Sequence, residues 1–113
     1  MKKRVFISGA SGVMGKSTIS QMCEHLDKLE ILALVRPSKK NKKQMKKYKN
    51  KIKIVWGDIL DYEIVKKAIK DADYILHLAA LVSPKADKDK DLTFKVNIEG
   101  SRNIIKAVKE LKL

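Results

Sequence analysis

Runs of apolar residues and helical apolar periodicities alternate along this chain. Arg4–Ser8 carries the short run Val5-Phe6-Ile7, which predicts a strand. Over 13–28, Ile19, Met22, Cys23 and Leu26 recur at helical spacing and predict a helix with one inward face. Ile31–Val35 is apolar without interruption, as expected of a strand buried on both sides. Pro37–Lys51 is almost entirely Lys, Asn and Gln, with only Met45 and Tyr48 breaking the polarity, and reads as a mobile loop with a short surface helix. Lys51–Trp56 predicts a third strand ended by Gly57-Asp58, and Tyr62–Lys70 a helix turning Ile64, Val65, Ala68 and Ile69 inward. Asp73–Leu78 predicts a fourth strand and Ser83–Asp91 a polar loop. Leu92–Lys112 predicts a last helix that buries Phe94, Val96, Ile98, Ile104, Ile105, Val108 and Leu111.

Strands alternating with helices of this length imply an α/β fold, a doubly wound parallel sheet with right-handed crossovers. The expected spatial order is 3-2-1-4, with residues 1–113 forming one domain. Ligands of such sheets sit beyond the strand C-termini where the order reverses, here between strands one and four.

Composition narrows the class. At 113 residues and 44% hydrophobic, the chain suits one small globular domain, and no apolar run nears the roughly 20 residues that span a bilayer. The basic start Met1-Lys2-Lys3-Arg4 precedes an apolar stretch too short for a signal peptide, and the single Cys23 excludes an internal disulfide. A cytoplasmic protein is expected. The net charge of +13 raises the question of nucleic acid. The cations are nearly all lysine, however, with Arg4, Arg36 and Arg102 the only arginines, and no aromatic stacking platform accompanies them. A solvated lysine surface is the expectation, with neither nucleic acid nor membrane as partner.

The chemistry concentrates near the N-terminus. Gly9, Gly12 and Gly15 are spaced three apart, directly after a strand and opening a helix. A backbone so shaped can bring its N–H groups and a helix N-terminus against a pyrophosphate, so Gly9, Ser11, Gly12, Val13, Met14 and Gly15 form a candidate dinucleotide turn. A plain structural glycine turn is the alternative. A second motif overlaps it: Ala10 to Ser17 fits a relaxed phosphate loop, in which Lys16 would reach the β/γ-phosphates of a nucleoside triphosphate and Ser17 would hold Mg²⁺. Asp58 could supply the second carboxylate such a loop needs, or could merely form a turn. At the end of strand two, where an NAD-binding protein of this design carries an acid, stand Arg36, Lys39 and Lys40. They attract a 2′-phosphate, which favours NADP over NAD.

Ser8 to Gly15, Leu34-Val35-Arg36, Gly57-Asp58-Ile59, His77-Leu78-Ala79-Ala80 and Val96-Asn97 to Asn103 occur in that order. Together they resemble the N-terminal half of an extended short-chain dehydrogenase/reductase of the NAD(P)-dependent epimerase/dehydratase family, close to dihydroflavonol reductases and 3β-hydroxysteroid dehydrogenases. The resemblance implies that Gly9, Gly12 and Gly15 hold the pyrophosphate. It implies that Asp58 accepts from the adenine amino group with Ile59 against the ring, and that Leu78, Ala79 and Ala80 let the ribose pass. Asn97 would be structural or water-organising, and Ser101 stands where threonine is commoner. His77 reads as a packed, hydrogen-bonded histidine. The family's Ser and Tyr-x-x-x-Lys groups lie beyond strand five, where this chain stops, so no catalytic and no metal-binding residue is assigned. Tyr62-Glu63-Ile64-Val65-Lys66 has the spacing but belongs to a flanking helix. The expected whole is an NADP-dependent oxidoreductase or epimerase/dehydratase for a sugar or carbonyl substrate. This chain would be its cofactor-binding part, inert alone and prone to self-association through the edge of strand four. A free-standing nucleotide-binding or redox-sensing module and a phosphate-loop NTPase are the alternatives.

Overall fold

The computed structural model describes residues 2–10, 12–78 and 95–112. Four parallel strands, β1 (Lys3–Ser8), β2 (Leu29–Val35), β3 (Lys53–Trp56) and β4 (Tyr74–His77), form one sheet in the order β3-β2-β1-β4. The expected 3-2-1-4 order is therefore the observed one. Register aligns Ser8 with Leu34 on one side and with His77 on the other, so the strand C-termini share one end of the sheet.

Side-chain alternation splits the strands between two cores. Phe6, Leu32 and Leu34 point to the face covered by α3 (Tyr62–Ile69) and α4 (Gly100–Leu111), where Val65, Ile69, Ile104 and Ala107 complete the cluster. Ile7, Ile31, Ala33 and Val35 point to the other face, covered by α1 (Val13–Met22) and α2 (Lys39–Met45). Burial on both sides is why β2 reads as an unbroken apolar run.

Three expectations are corrected. The helix over 13–28 is α1 to Met22, then a 3₁₀ turn Cys23–His25. The chain regains strand geometry by Leu29. Met22, Cys23 and Leu26 still pack on the second core, so the inward face is kept while the helix shortens.

The short surface helix expected within 37–51 is present, but it is anchored to the core rather than carried on a loop. Ser38 caps α2, its Oγ accepting from the Asn41 amide at 3.0 Å, and a 3₁₀ turn Lys46–Tyr48 follows. Met45 and Tyr48, 1% and 5% exposed, are driven into the second core. Two apolar anchors three residues apart suffice to dock a lysine helix on one stripe.

In α4, Ile105 is 55% exposed, and Ile98 before it is 40% exposed. Among the described residues only α3 and the sheet cover this helix, so its packed stripe runs through Ile104, Ala107, Val108 and Leu111 and leaves Ile98 and Ile105 outside. A π-helical stretch Lys95–Glu99 precedes α4, while Phe94 and the side chain of Val96 lie outside the described residues.

Polar ties hold the N-terminal strand ends. Glu30 bridges Arg4 at 2.9 Å and Lys53 at 3.0 Å, which holds its carboxyl below the usual range. The Arg4 amide donates to Asp73 at 2.7 Å. No helix among the described residues is long and apolar enough to cross a membrane.

Candidate functional site

β1 ends at Ser8 and the chain turns sharply at Gly9, whose φ of 77° belongs to the left-handed region. The Gly12 amide closes the turn on the Gly9 carbonyl at 3.1 Å, and Gly12 then serves as N-cap of α1. Each glycine answers a different demand. Gly9 is required by its φ. Gly15 is required by packing, because a Cβ there would lie 1.9 Å from the Gly9 oxygen and 2.7 Å from the Ala10 Cα. Gly12 is required by neither. Its φ is −77°, and a Cβ would sit 3.4 Å from the Gly9 oxygen, an ordinary contact. Among the described residues no internal contact demands a bare backbone at Gly12.

Among the described residues no side chain caps α1 and no acid stands in its first turn, so none of them neutralises the positive end of the helix dipole. Val13 and Met14 contribute backbone to this first turn. Their side chains, and Ser11 as a whole, lie outside the described residues.

The other candidate residues gather along the same end of the sheet. Arg36 follows β2 and is exposed, and its carbonyl accepts from Asn41 Nδ2 at 2.7 Å. Lys39 opens α2, also exposed. Asp58 follows β3, with Oδ1 accepting from the Leu60 amide at 3.0 Å and its carbonyl from the Asp61 amide at 2.9 Å. Leu78 follows β4 and donates to the Ser8 carbonyl at 3.1 Å, while Ala79 and Ala80 lie outside the described residues. Ile59 is turned into the first core, 8% exposed. A Cβ on Gly100 would lie 3.1 Å from its side chain, so this isoleucine is committed to seating α4. Asn97, in the π-helical stretch, presents its carbonyl to Ser101 Oγ at 2.8 Å.

His77 is hydrogen-bonded, as expected. Its Nδ1 lies 2.6 Å from Ser8 Oγ and its Nε2 3.0 Å from Ser101 Oγ, and burial lowers its pKa. Tyr62 is remote from all of this, on α3, with the Lys106 ammonium 4.3 Å from its ring centre. Burial and the nearby Glu110 push its hydroxyl up to about 12, opposite to what a proton-shuttling tyrosine needs.

One feature escaped the sequence reading. Lys16, Lys40, Lys43 and Lys47, with Gln44, Met45 and Tyr48, line a cleft of about 460 Å³ between α1 and the α2 segment. The spacing of Lys40, Lys43 and Lys47 is a helical one, a signal that could be read only once the segment was known to be helical.

Sheet order also separates two readings of the glycine turn. β1 lies between β2 and β4, so Asp58 at the end of β3 is two strands away, about 10 Å across the sheet. The phosphate-loop reading needs a carboxylate close to Ser17, and the strand order sets Asp58 apart from the root of the glycine turn.

D-erythronate dehydrogenase of Haemophilus influenzae is 32% identical over 107 residues, 90% of this chain and 32% of that protein. UDP-glucose 4-epimerase of Rickettsia bellii is 31% identical over 110 residues, 93% of this chain and 32% of that protein. The structure of UDP-N-acetylglucosamine 4-epimerase from Methanobrevibacter ruminantium, in complex with UDP-N-acetylmuramic acid, superposes with a TM-score of 0.80 at 25% identity. That match covers 100% of this chain and 36% of the epimerase. The chain thus spans about a third of the length of these relatives. Residues 6–113 match the 3-beta hydroxysteroid dehydrogenase/isomerase family. On that match, and on a sheet whose glycine turn opens at the reversal of strand order, the chain belongs to this family of extended short-chain dehydrogenases/reductases and epimerase/dehydratases.

Proposed function

We propose that this chain is the NADP(H)-binding portion of an extended short-chain oxidoreductase or epimerase/dehydratase that acts on a sugar or carbonyl substrate. Dinucleotide binding is the family's property. The observation that carries it to these residues is Gly12, whose missing side chain neither φ nor internal packing demands. Gly9, Gly12 and Gly15 hold the pyrophosphate at the open end of α1, Asp58 meets the adenine end, and the backbone after Leu78 borders the nicotinamide ribose.

The preference for NADP rests on charge. Arg36 and Lys39 follow the end of β2, a neighbouring cleft brings in Lys16, Lys40, Lys43 and Lys47, and no carboxylate among the described residues lines it. A 2′-phosphate gains charge-assisted contacts there, whereas an unphosphorylated ribose would find no acid to accept its hydroxyl. Titration calorimetry with NADPH and NADH tests this. At least tenfold tighter binding of NADPH is expected, reduced by Arg36→Glu; tighter binding of NADH refutes the preference.

By itself the chain does no chemistry in this reading, because Tyr62 and Lys66 are engaged on the flank. Steady NADPH oxidation with a carbonyl substrate would overturn that. A second reading, a free-standing cofactor-binding module, is favoured by one observation: both faces of β1 and β2 are covered by the chain's own helices. It requires a monodisperse folded protein that binds cofactor and no substrate.

A further inference from the structure

Ser8, His77 and Ser101 are far apart in sequence, with separations of 69 and 24 residues, yet they meet in one hydrogen-bonded row. The last link sets the direction of the others. Ser101 Oγ donates its single proton to the Asn97 carbonyl at 2.8 Å, so toward His77 it can only accept. His77 therefore donates from Nε2 across 3.0 Å, and its Nδ1, left with a lone pair, accepts from Ser8 Oγ at 2.6 Å. Burial, which lowers the pKa of this imidazole, favours the neutral ring that this tautomer requires.

The row joins three elements at the point where the strand order reverses. Ser8 ends β1 and hands the chain to Gly9 and the glycine turn. His77 ends β4, whose next amide, that of Leu78, also bonds to the Ser8 carbonyl. Ser101 lies in the first turn of α4, which no strand ladder ties to the sheet. Ser8 is 1% exposed, so its side chain is enclosed at the root of the turn.

We infer that His77 and Ser101 are positioning residues for the dinucleotide: through Ser8 they hold the root of the glycine turn in its binding shape before the cofactor arrives. The inference rests on the dinucleotide reading above. Its physical basis is preorganisation, since a turn already ordered loses less conformational freedom on binding.

The test is a matched pair in the whole chain. Thr and Val have similar shape and similar helix propensity, but only Thr keeps the hydroxyl. Ser101→Thr is expected to bind NADPH within about twofold of the parent, and Ser101→Val roughly threefold to tenfold more weakly, the effect of one lost hydrogen bond. Nitrogen-15 spectra of the imidazole supply a second readout. The parent and Ser101→Thr should show a protonated Nε2 and bare Nδ1, and Ser101→Val a mixture of tautomers. Equal affinity of the Thr and Val variants, or a parent ring protonated at Nδ1, overturns the positioning role while leaving the dinucleotide reading intact. A parent that binds neither NADPH nor NADH overturns both.

Discussion

Replacing Gly12 and Gly15 separately by alanine should split binding from folding, because the two glycines answer to different neighbours. At Gly15 the new Cβ would lie 1.9 Å from the Gly9 oxygen and 2.7 Å from the Ala10 Cα, both backbone atoms that no side-chain rotation can move. The first turn of α1 must lift off the glycine turn. Overpacking of this kind costs about 1–3 kcal/mol or more, against a gain of about 1 kcal/mol from placing Ala rather than Gly in a helix. A net loss of about 2 kcal/mol lowers Tm by roughly 8 °C. At Gly12 the Cβ would be 3.4 Å from the Gly9 oxygen on a backbone of φ −77°, so Gly12→Ala should cost no more than about 1 kcal/mol, the loss of a favoured N-cap residue. The same methyl would project where the pyrophosphate is expected. A tenfold weaker Kd, about 1.4 kcal/mol, is the minimum loss expected. Urea denaturation with calorimetric titration of NADPH measures both quantities on each variant. If Gly12→Ala binds as tightly as the parent, the argument that its bare backbone serves a ligand is wrong. If Gly15→Ala is as stable as the parent, the close helix–turn contact is wrong.

Other outcomes follow from the packing and the titrating groups. Met45→Ala should cost about 2–5 kcal/mol in urea denaturation, since Met45 is 1% exposed in the second core; an unchanged midpoint would mean that the lysine-rich helix is not docked. His77 has its pKa lowered by burial, so the native state binds fewer protons there than the unfolded chain. Its contribution is complete above the ordinary histidine value near 6.5 and is lost as pH falls through the lower native value. Denaturation midpoints should drop over that acid window, less so in His77→Gln, and identical pH profiles would refute the assignment. Finally, β4 pairs only with β1 among the described residues, and its Tyr74 is 57% exposed. Tyr74→Lys should reduce concentration-dependent association in sedimentation velocity, and no change would clear that edge of involvement.

Much of this molecule could be read locally. Continuous apolar runs located β2 and the centre of β1, because a strand buried on both faces has no polar side to show. The glycine spacing located the turn, since its geometry depends on neighbours within a few residues. Arg36 and Asp58 could be placed at one end of the sheet because each comes within two residues of a strand's end, and in a parallel sheet all strand ends face the same way. The lysine segment was misjudged for the opposite reason. Two anchors, Met45 and Tyr48, carry its packing, and an average over its polarity hides them. Ile98 and Ile105 failed similarly, because the sequence shows apolar positions but not how many helices stand ready to cover them.

The chain's own order of residues was enough to set its elements, its sheet and the chemistry of its opening turn, all governed by short-range sterics and by side-chain periodicity. Tertiary structure alone decided which glycine the fold's own packing requires, which isoleucines stay wet, and that Ser8, His77 and Ser101 form one row. Those outcomes depend on distances between atoms from elements remote in sequence, and only packing brings such elements together.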